Sequence, residues 1–285
     1  MILGSSGVAV RVLLWFTALV FAFGVSGRDA HGQTDQATAV AFMRSTGLWD
    51  RLGGPIGEAV QDELARNSRG LTLTQIERLS KRAKESYAPD RLRAVAAAVI
   101  VEGGEDRHLS AALAWEATPL GAVITKLGKE EIADKRASAI RMAEGIAVLA
   151  RSSETRRGLL GRLLKVSNAV DSVVSLAMNT IVAIQIGAVC ATSCTQVPSD
   201  EAIRKIKNRH RSELREALGP MTLGFVAAVY APLSDADMSE FIAFLETPAG
   251  QHVNDLEMKA YEAAFVDASL QFGRTVPGTK DAANP

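Results

Sequence analysis

One four-residue motif occurs twice in this chain, and it constrains the fold more than any other feature. It reads Thr118-Pro119-Leu120-Gly121 in the first half and Thr247-Pro248-Ala249-Gly250 in the second, 129 residues later. Threonine is a good helix N-cap, and proline is tolerated at the first helical position because its missing N–H has no intrahelical partner there. A glycine at the third position leaves room for another helix to approach closely. Each copy therefore predicts a tight corner that opens a helix.

The similarity between the halves extends beyond this motif. Residues 98–127 align with residues 227–256 without a gap, and eight of the 30 positions are identical. The identical pairs are Ala98/Ala227, Asp106/Asp235, Ser110/Ser239, Ala114/Ala243, Thr118/Thr247, Pro119/Pro248, Gly121/Gly250 and Leu127/Leu256. We interpret the alignment as a duplicated helical unit whose two copies pack as one bundle. The shared Asp and Ser positions suit helix capping and the helix dipole, which explains them without chemistry.

The composition favours an all-α fold. Alanine and leucine are abundant, aromatic residues make up only 5%, and few runs alternate polar with apolar residues. The predicted architecture is a multi-helix bundle of two related units, at residues 33–146 and 147–273, with a loose tail at 274–285. No linker rich in proline, glycine or serine separates the units, which argues against two independent domains.

Residues 1–32 are typical of a secretory signal peptide. Arg11 precedes an uncharged apolar run at 12–25, and small residues follow at Val25-Ser26-Gly27 and Ala30-His31-Gly32. Cleavage after Gly32 would leave an exported chain, periplasmic or secreted, that begins at Gln33. The alternative is an uncleaved membrane anchor.

Two further segments are strongly apolar. No charged residue occurs from Ser172 to Ser199, and residues 173–191 are long enough to span a membrane. Polar residues interrupt this run, and a signal peptide already explains export, so a buried core helix is the favoured interpretation and a membrane helix the alternative. Residues 92–101 are also predicted to form a buried helix.

Local signals predict several helix boundaries. Residues 33–39 are predicted to be a disordered leader before a helix that starts at Val40. A capping box at Thr74–Glu77 predicts a helix start, and a helix from Pro119 towards Ala150 is expected to bend near Gly128. Gly219-Pro220 is expected to stop the helix that starts at Asp200, and Gly273 to follow the last helix as its C′ residue.

The chain has two cysteines, Cys190 and Cys194. A disulfide between them is favoured in an exported chain, although this spacing strains an ideal helix. The alternatives are two free buried thiols, or a metal or redox role. The spacing is not C-x-x-C, and no histidine lies near in sequence.

No set of residues predicts catalysis, a cofactor or a metal. His108 and His252 are not repeated in the other half, where Asp237 and Val123 stand, and a metal would need further ligands, so both are interpreted as helix-surface side chains. The 32 basic residues balance the 32 acidic residues, which argues against nucleic-acid binding. The basic run at 204–215 could bind phosphate groups of lipids or polymers, but interspersed glutamates favour a solvated helix face.

The second copy resembles the bacterial exported family catalogued as domain of unknown function 2059. The resemblance rests on a helix with an acidic start followed by F-x-x-[ST]-P-x-G, here Phe244 to Gly250. The first copy departs from it, since Trp115 stands where the pattern has phenylalanine and Gly103-Gly104 precedes the helix. The resemblance implies an exported α-helical protein of uncharacterised role and supplies no catalytic residues.

Three functions remain open from the sequence. The favoured hypothesis is a non-catalytic interaction or structural role in the cell envelope, with an envelope protein or a lipid as partner and with membrane contact only through the signal peptide. The alternative is binding of an apolar ligand such as a lipid, motivated by the apolar segments 92–101 and 173–191. An enzyme is the least favoured, and a pocket with convergent carboxylates or histidines would strengthen it.

Overall fold

The computed structural model describes residues 34–53, 72–134, 138–191 and 197–275. Its helices are α1 (Gln36–Ser45), α2 (Leu48–Gly53), α3 (Leu73–Ser86), α4 (Pro89–Gly103), α5 (Asp106–Glu116), α6 (Pro119–Ala133), α7 (Ser138–Arg151), α8 (Glu154–Val166), α9 (Ala169–Cys190), α10 (Asp200–Val229), α11 (Asp235–Leu245) and α12 (Pro248–Gly273). The described residues are 86% helical and contain no strand, which confirms the predicted all-α fold. The predicted signal peptide and most of the predicted tail lie outside the described residues.

The two halves of the chain interlock. Helix α12, which follows the second corner, packs on α4 and α5 of the first half as well as on α9. Helix α7, in the first half, packs along α10 of the second. One hydrophobic cluster accordingly combines Phe42 and Ile100 with Phe265, and another combines Ile124 with Ile242. The predicted boundary between residues 146 and 147 falls inside α7.

The two corners have the same geometry. Helices α5 and α11 have 11 residues each, and α6 and α12 begin at matching positions after them. Thr118 (φ −70°, ψ 158°) and Thr247 (φ −73°, ψ 156°) are the N-caps. In each corner the threonine Oγ1 accepts from the glycine N–H at 3.0 Å, from Gly121 and Gly250 respectively. Each hydroxyl also donates to a carbonyl of the preceding helix at 2.7 Å.

The glycine of each corner makes room for the helix directly before it. A Cβ on Gly250 would overlap the Phe244 carbonyl oxygen and lie 2.8 Å from Leu245 Cα, and one on Gly121 would lie 2.7 Å from Glu116 Cα. The expected close approach is therefore present, and the neighbour is the last turn of the preceding helix.

Two other close helix contacts also depend on glycine. A Cβ on Gly145 of α7 would lie 3.0 Å from Gly224 Cα of α10, and Gly187 of α9 and Gly273 of α12 each face the backbone of the other's helix. Gly273 is the last helical residue, so the interpretation of it as a C′ residue is wrong. Its missing side chain serves helix packing.

Two predicted helix interruptions are wrong. Helix α10 continues through Gly219-Pro220 without a break. Pro220 and Glu216 are both exposed, so the proline ring and the carbonyl that loses its N–H partner lie on the solvent side of the helix. The bend expected near Gly128 occurs instead after Ala133, where α6 ends.

The first elements start earlier than predicted. The N-cap of α3 is Thr72, which forms a capping box with Gln75, two residues before the predicted one. Thr34 is buried and donates to Asp106 Oδ1 at 2.9 Å, and Asp35 caps α1. Residues 34–39 are therefore ordered, and the expectation of a disordered leader over them is wrong.

The two apolar segments differ in burial. By length and composition alone, α9 could cross a membrane. It packs on α12 and α10, and Gln185 is the one exposed residue among its 22, which supports the core-helix interpretation. Within residues 92–101 of α4, Leu92, Ala96, Ala97 and Ile100 are buried, whereas Ala94 and Ala98 are exposed, so the predicted buried helix has one exposed side.

Cys190 is the last residue of α9 and is disulfide-bonded. Cys194 lies outside the described residues, so its pairing with Cys190 stays a prediction.

Candidate functional site

A cavity lies between the two corners. Trp115 and Phe244, which precede the corners at matching positions, stack with their ring centroids 4.2 Å apart and their planes 8° from parallel. The cavity beside them has a volume of about 90 Å³. It is lined by Thr46, Gly47, Arg51, Ala112, Trp115, Glu116, Ile124, Thr125, Gly128, Lys129, Ile132, Tyr230, Phe241, Phe244, Leu245, Val253, Asn254 and Glu257.

Equivalent positions of the two halves line this cavity together. Twelve of the lining residues form six pairs, each 129 residues apart. The pairs are Ala112/Phe241, Trp115/Phe244, Glu116/Leu245, Ile124/Val253, Thr125/Asn254 and Gly128/Glu257. The cavity therefore lies where the matching surfaces of the two halves meet. In two of the pairs only one half supplies a carboxyl group, Glu116 in one pair and Glu257 in the other.

A buried ion pair forms one wall of the cavity. Arg51 of α2 donates from Nη2 to Glu257 Oε2 of α12 at 2.5 Å, and their side chains are only 16% and 10% exposed. Burial opposes the charge of Arg51, but the Glu257 carboxylate outweighs it and raises the pKa of the guanidinium. The guanidinium is therefore held in an ion pair that joins α2 to α12.

Four polar atoms of lining residues have no hydrogen-bond partner among the described residues. They are Thr46 Oγ1, Arg51 Nε, Glu257 Oε1 and Asn254 Nδ2. A buried polar atom without a partner costs about 1–3 kcal/mol, so such atoms are normally satisfied by water or by a ligand. Two of these atoms are donors, one is an acceptor, and the Thr46 hydroxyl can act as either. A small molecule that both donates and accepts hydrogen bonds matches them.

Glu116 is the second carboxyl group of the cavity. Burial raises its pKa to about 7, which outweighs the opposite effect of the hydrogen bond that Thr125 Oγ1 donates to it. The charge of Glu257 raises the pKa further, while Arg51 and Lys129 lower it. Burial also keeps the Tyr230 phenol neutral, because it raises the pKa of that group far above its usual range. The cavity therefore holds two carboxyl groups in different surroundings, Glu257 paired with Arg51 and Glu116 with a raised pKa.

We expect the folded protein to lose stability as the pH rises from 5 to 8. Folded Glu116 keeps its proton up to a pKa of about 7, whereas the unfolded side chain releases it near 4.5, so folding takes up a proton between these values. The shift corresponds to about 3 kcal/mol. Asp255, whose pKa burial also raises to about 7, acts in the same direction.

Urea unfolding at several pH values checks this expectation. The Glu116→Gln variant should lose about half of the decline, since it removes one of the two titrating groups and keeps the shape, while Asp255 still titrates. Glu130→Gln, at an exposed ion pair of α6, is the control and should keep the wild-type decline. A wild-type protein that is equally stable at pH 5 and pH 8 would contradict the assignment.

A second polar cluster lies at the start of α5. His108 and His252, 144 positions apart, have ring centroids 4.9 Å apart, and both rings face Glu105. The side chains of His108, His252 and Glu105 are 17%, 20% and 22% exposed, respectively. The two histidines, interpreted from the sequence as helix-surface side chains, are thus half-buried and in contact with each other. The interlocking of α5 with α12 brings them together.

The predicted site residues lie beside the cavity. Thr118 and Thr247 shape the corners but do not line it, and the described part of the basic run is mostly exposed on α10. Sequence reasoning missed Arg51, Glu116 and Glu257. The sequence contains one indication of these carboxyl groups: they stand where the two aligned halves differ, since Glu116 aligns with Leu245 and Glu257 with Gly128.

No protein-family model, curated protein or solved structure matches the chain. The resemblance to domain of unknown function 2059 stays a prediction.

Proposed function

We propose that this is an exported, non-catalytic binding protein of the cell envelope that holds a small polar molecule in the cavity between its corners. The observation that carries the proposal is one set of four unpartnered buried atoms on residues that line one cavity, Thr46, Arg51, Asn254 and Glu257. Cavities of binding proteins place a few polar groups among apolar walls, and the aromatic pair supplies such a wall here.

The cavity restricts the ligand. Its volume of about 90 Å³ admits only a compact molecule or a few waters. Arg51 and Glu257 neutralise each other, so a neutral molecule adds no buried net charge. It has to accept from Arg51 Nε and Asn254 Nδ2 and donate to Glu257 Oε1. Small amides, diols and zwitterionic amino acids have this chemistry.

Duplication and export are parts of the same proposal. The matched corners and the six equivalent pairs support a duplicated helical unit, and the cavity then belongs to the interface between the copies. The Arg11-led apolar run supports export. Apolar-ligand binding has less support, because α9 exposes only Gln185, and the apolar segment 92–101 of α4 exposes only the small side chains of Ala94 and Ala98.

Binding can be tested with a panel of small amides, diols and amino acids, measured by isothermal titration calorimetry on the purified mature chain. We expect at least one compound to bind with one-to-one stoichiometry. The Asn254→Ala variant removes a hydrogen-bond donor from the cavity. It should reduce the affinity for that compound about tenfold, since one hydrogen bond is worth about 1 kcal/mol or more.

Asn179→Ala is the matched control. Asn179 of α9 donates to Glu262 of α12 and does not line the cavity, so its loss should leave the affinity unchanged. Equal weakening in both variants would show that the compound does not bind between the corners. A panel without any binder would refute the polar-ligand proposal.

The two carboxyl groups favour a second candidate, acid–base catalysis on a very small substrate. A carboxyl group with a pKa of about 7 beside a charged one is the pattern expected for a general acid paired with a carboxylate. Any compound that binds should therefore be followed by NMR for conversion. Turnover that Glu116→Gln abolishes, with binding retained, would replace the non-catalytic proposal by the enzymatic one.

A further inference from the structure

The geometry points to a binding site for a divalent transition-metal ion, with Zn²⁺ as the best match, on Glu105, His108 and His252. Their ligand atoms lie within 4.8 Å of one another. Glu105 and His108 belong to the start of α5, and His252 to the first turns of α12. The site would therefore join the two halves of the chain.

The donor set suits zinc. Two imidazoles and one carboxylate form the ligand set of many zinc sites that keep one position open for water. Hard ions such as Mg²⁺ and Ca²⁺ prefer all-oxygen ligands, so the two nitrogens select against them. Among the described residues this is the one group of three His, Cys, Asp or Glu side chains with suitably close ligand atoms.

The distances require little rearrangement. His108 Nε2 lies 3.5 Å from Glu105 Oε2, and His252 Nδ1 lies 3.9 Å from Glu105 Oε1. Ligand atoms about 2.1 Å from a tetrahedral ion are roughly 3.4 Å apart. The ligand atoms lie within 4.8 Å of one another, so movements of about 1 Å or less would bring the three ligands to one ion.

Two existing contacts of the ligand residues compete with metal binding and limit its affinity. Arg107 holds Glu105 Oε2 at 2.8 Å, so the carboxylate reaches an ion most easily through Oε1. The backbone N–H of Glu105 donates to His252 Nε2 at 3.3 Å, and this contact is lost when Nδ1 binds the ion, because the neutral ring then carries its proton on Nε2. That hydrogen bond is long, so its loss is a small cost.

Titration of the untagged chain with Zn²⁺ tests the inference. We expect one ion per chain by calorimetry, and a melting temperature raised by about 5 °C or more when Zn²⁺ exceeds its dissociation constant a hundredfold. His108→Ala and His252→Ala should each weaken binding at least tenfold. His210→Ala is the control, because His210 lies on α10 with its side chain 40% exposed and should not contribute.

A second measurement uses only the wild-type chain, so it still tests the site if the histidine variants fail to fold. In the wild-type chain, Zn²⁺ should shift the imidazole NMR signals of His108 and His252 and leave those of His210 unchanged, and Co²⁺ should give the absorption spectrum of a tetrahedral site. Absence of binding, equal effects on all three histidines, or full affinity in both single variants would overturn the assignment.

Discussion

Replacing Gly250 with alanine should destabilise the protein by about 3 kcal/mol. The new methyl group would overlap the Phe244 carbonyl oxygen and crowd the Leu245 backbone, and neither can move without breaking the end of α11. Gly250→Leu should reduce the free energy of unfolding further than Gly250→Ala. It should also reduce it much more than Ala249→Leu, because Ala249 is only partly buried. Urea unfolding monitored by circular dichroism measures these differences.

The other corner and an open glycine supply the controls. Gly121→Ala meets the same obstruction, at the Trp115 carbonyl oxygen, and should cost a similar amount. A methyl group on Gly158 of α8 would meet no neighbouring atom within 4 Å, so Gly158→Ala should be neutral or stabilise the protein by up to about 1 kcal/mol. Equal, small effects at all three glycines would show that the corners tolerate a side chain.

The buried ion pair of the cavity gives the second large effect. Arg51→Met should cost about 3–5 kcal/mol, because it leaves the Glu257 carboxylate charged and buried without its partner. The double variant Arg51→Met with Glu257→Leu should recover most of this loss, since two apolar side chains leave no buried charge. Free energies of unfolding for the two single variants and the double variant measure the coupling between the residues.

Arg91 provides a matched comparison for this cycle. It also pairs with a carboxylate of α12, Asp267, at 2.6 Å, but these side chains are 41% and 31% exposed. Arg91→Met should therefore cost no more than about 1 kcal/mol. Similar costs for Arg51→Met and Arg91→Met would indicate that the pair at the cavity is open to water.

Local chemistry was predictable from the sequence. The corner N-caps at Thr118 and Thr247 and the start of α10 at Asp200 depend on residues within one helical turn. The same local reasoning failed at Pro220, because the outcome depends on which side of α10 faces solvent. It also failed at Thr72, where two overlapping motifs compete for the start of α3.

The candidate sites depend on contacts that no local pattern encodes. Arg51 and Glu257 are 206 positions apart, and His108 and His252 are 144 apart. Both pairs form because α12 crosses to the other half of the molecule. The proposed duplication predicts which positions are equivalent, but it does not predict that α12 of the second half packs on helices of the first.

That exchange has a consequence for how the chain reaches its fold. The core around Phe42, Leu92 and Ile100 is completed by Phe265, which lies close to the end of the sequence. The first half therefore cannot close its core until α12 has been synthesised, more than half of the chain after α4. Contacts between such distant segments slow folding. A chain whose first half stays open until α12 is made also remains unfolded for longer, which the export proposed above would require.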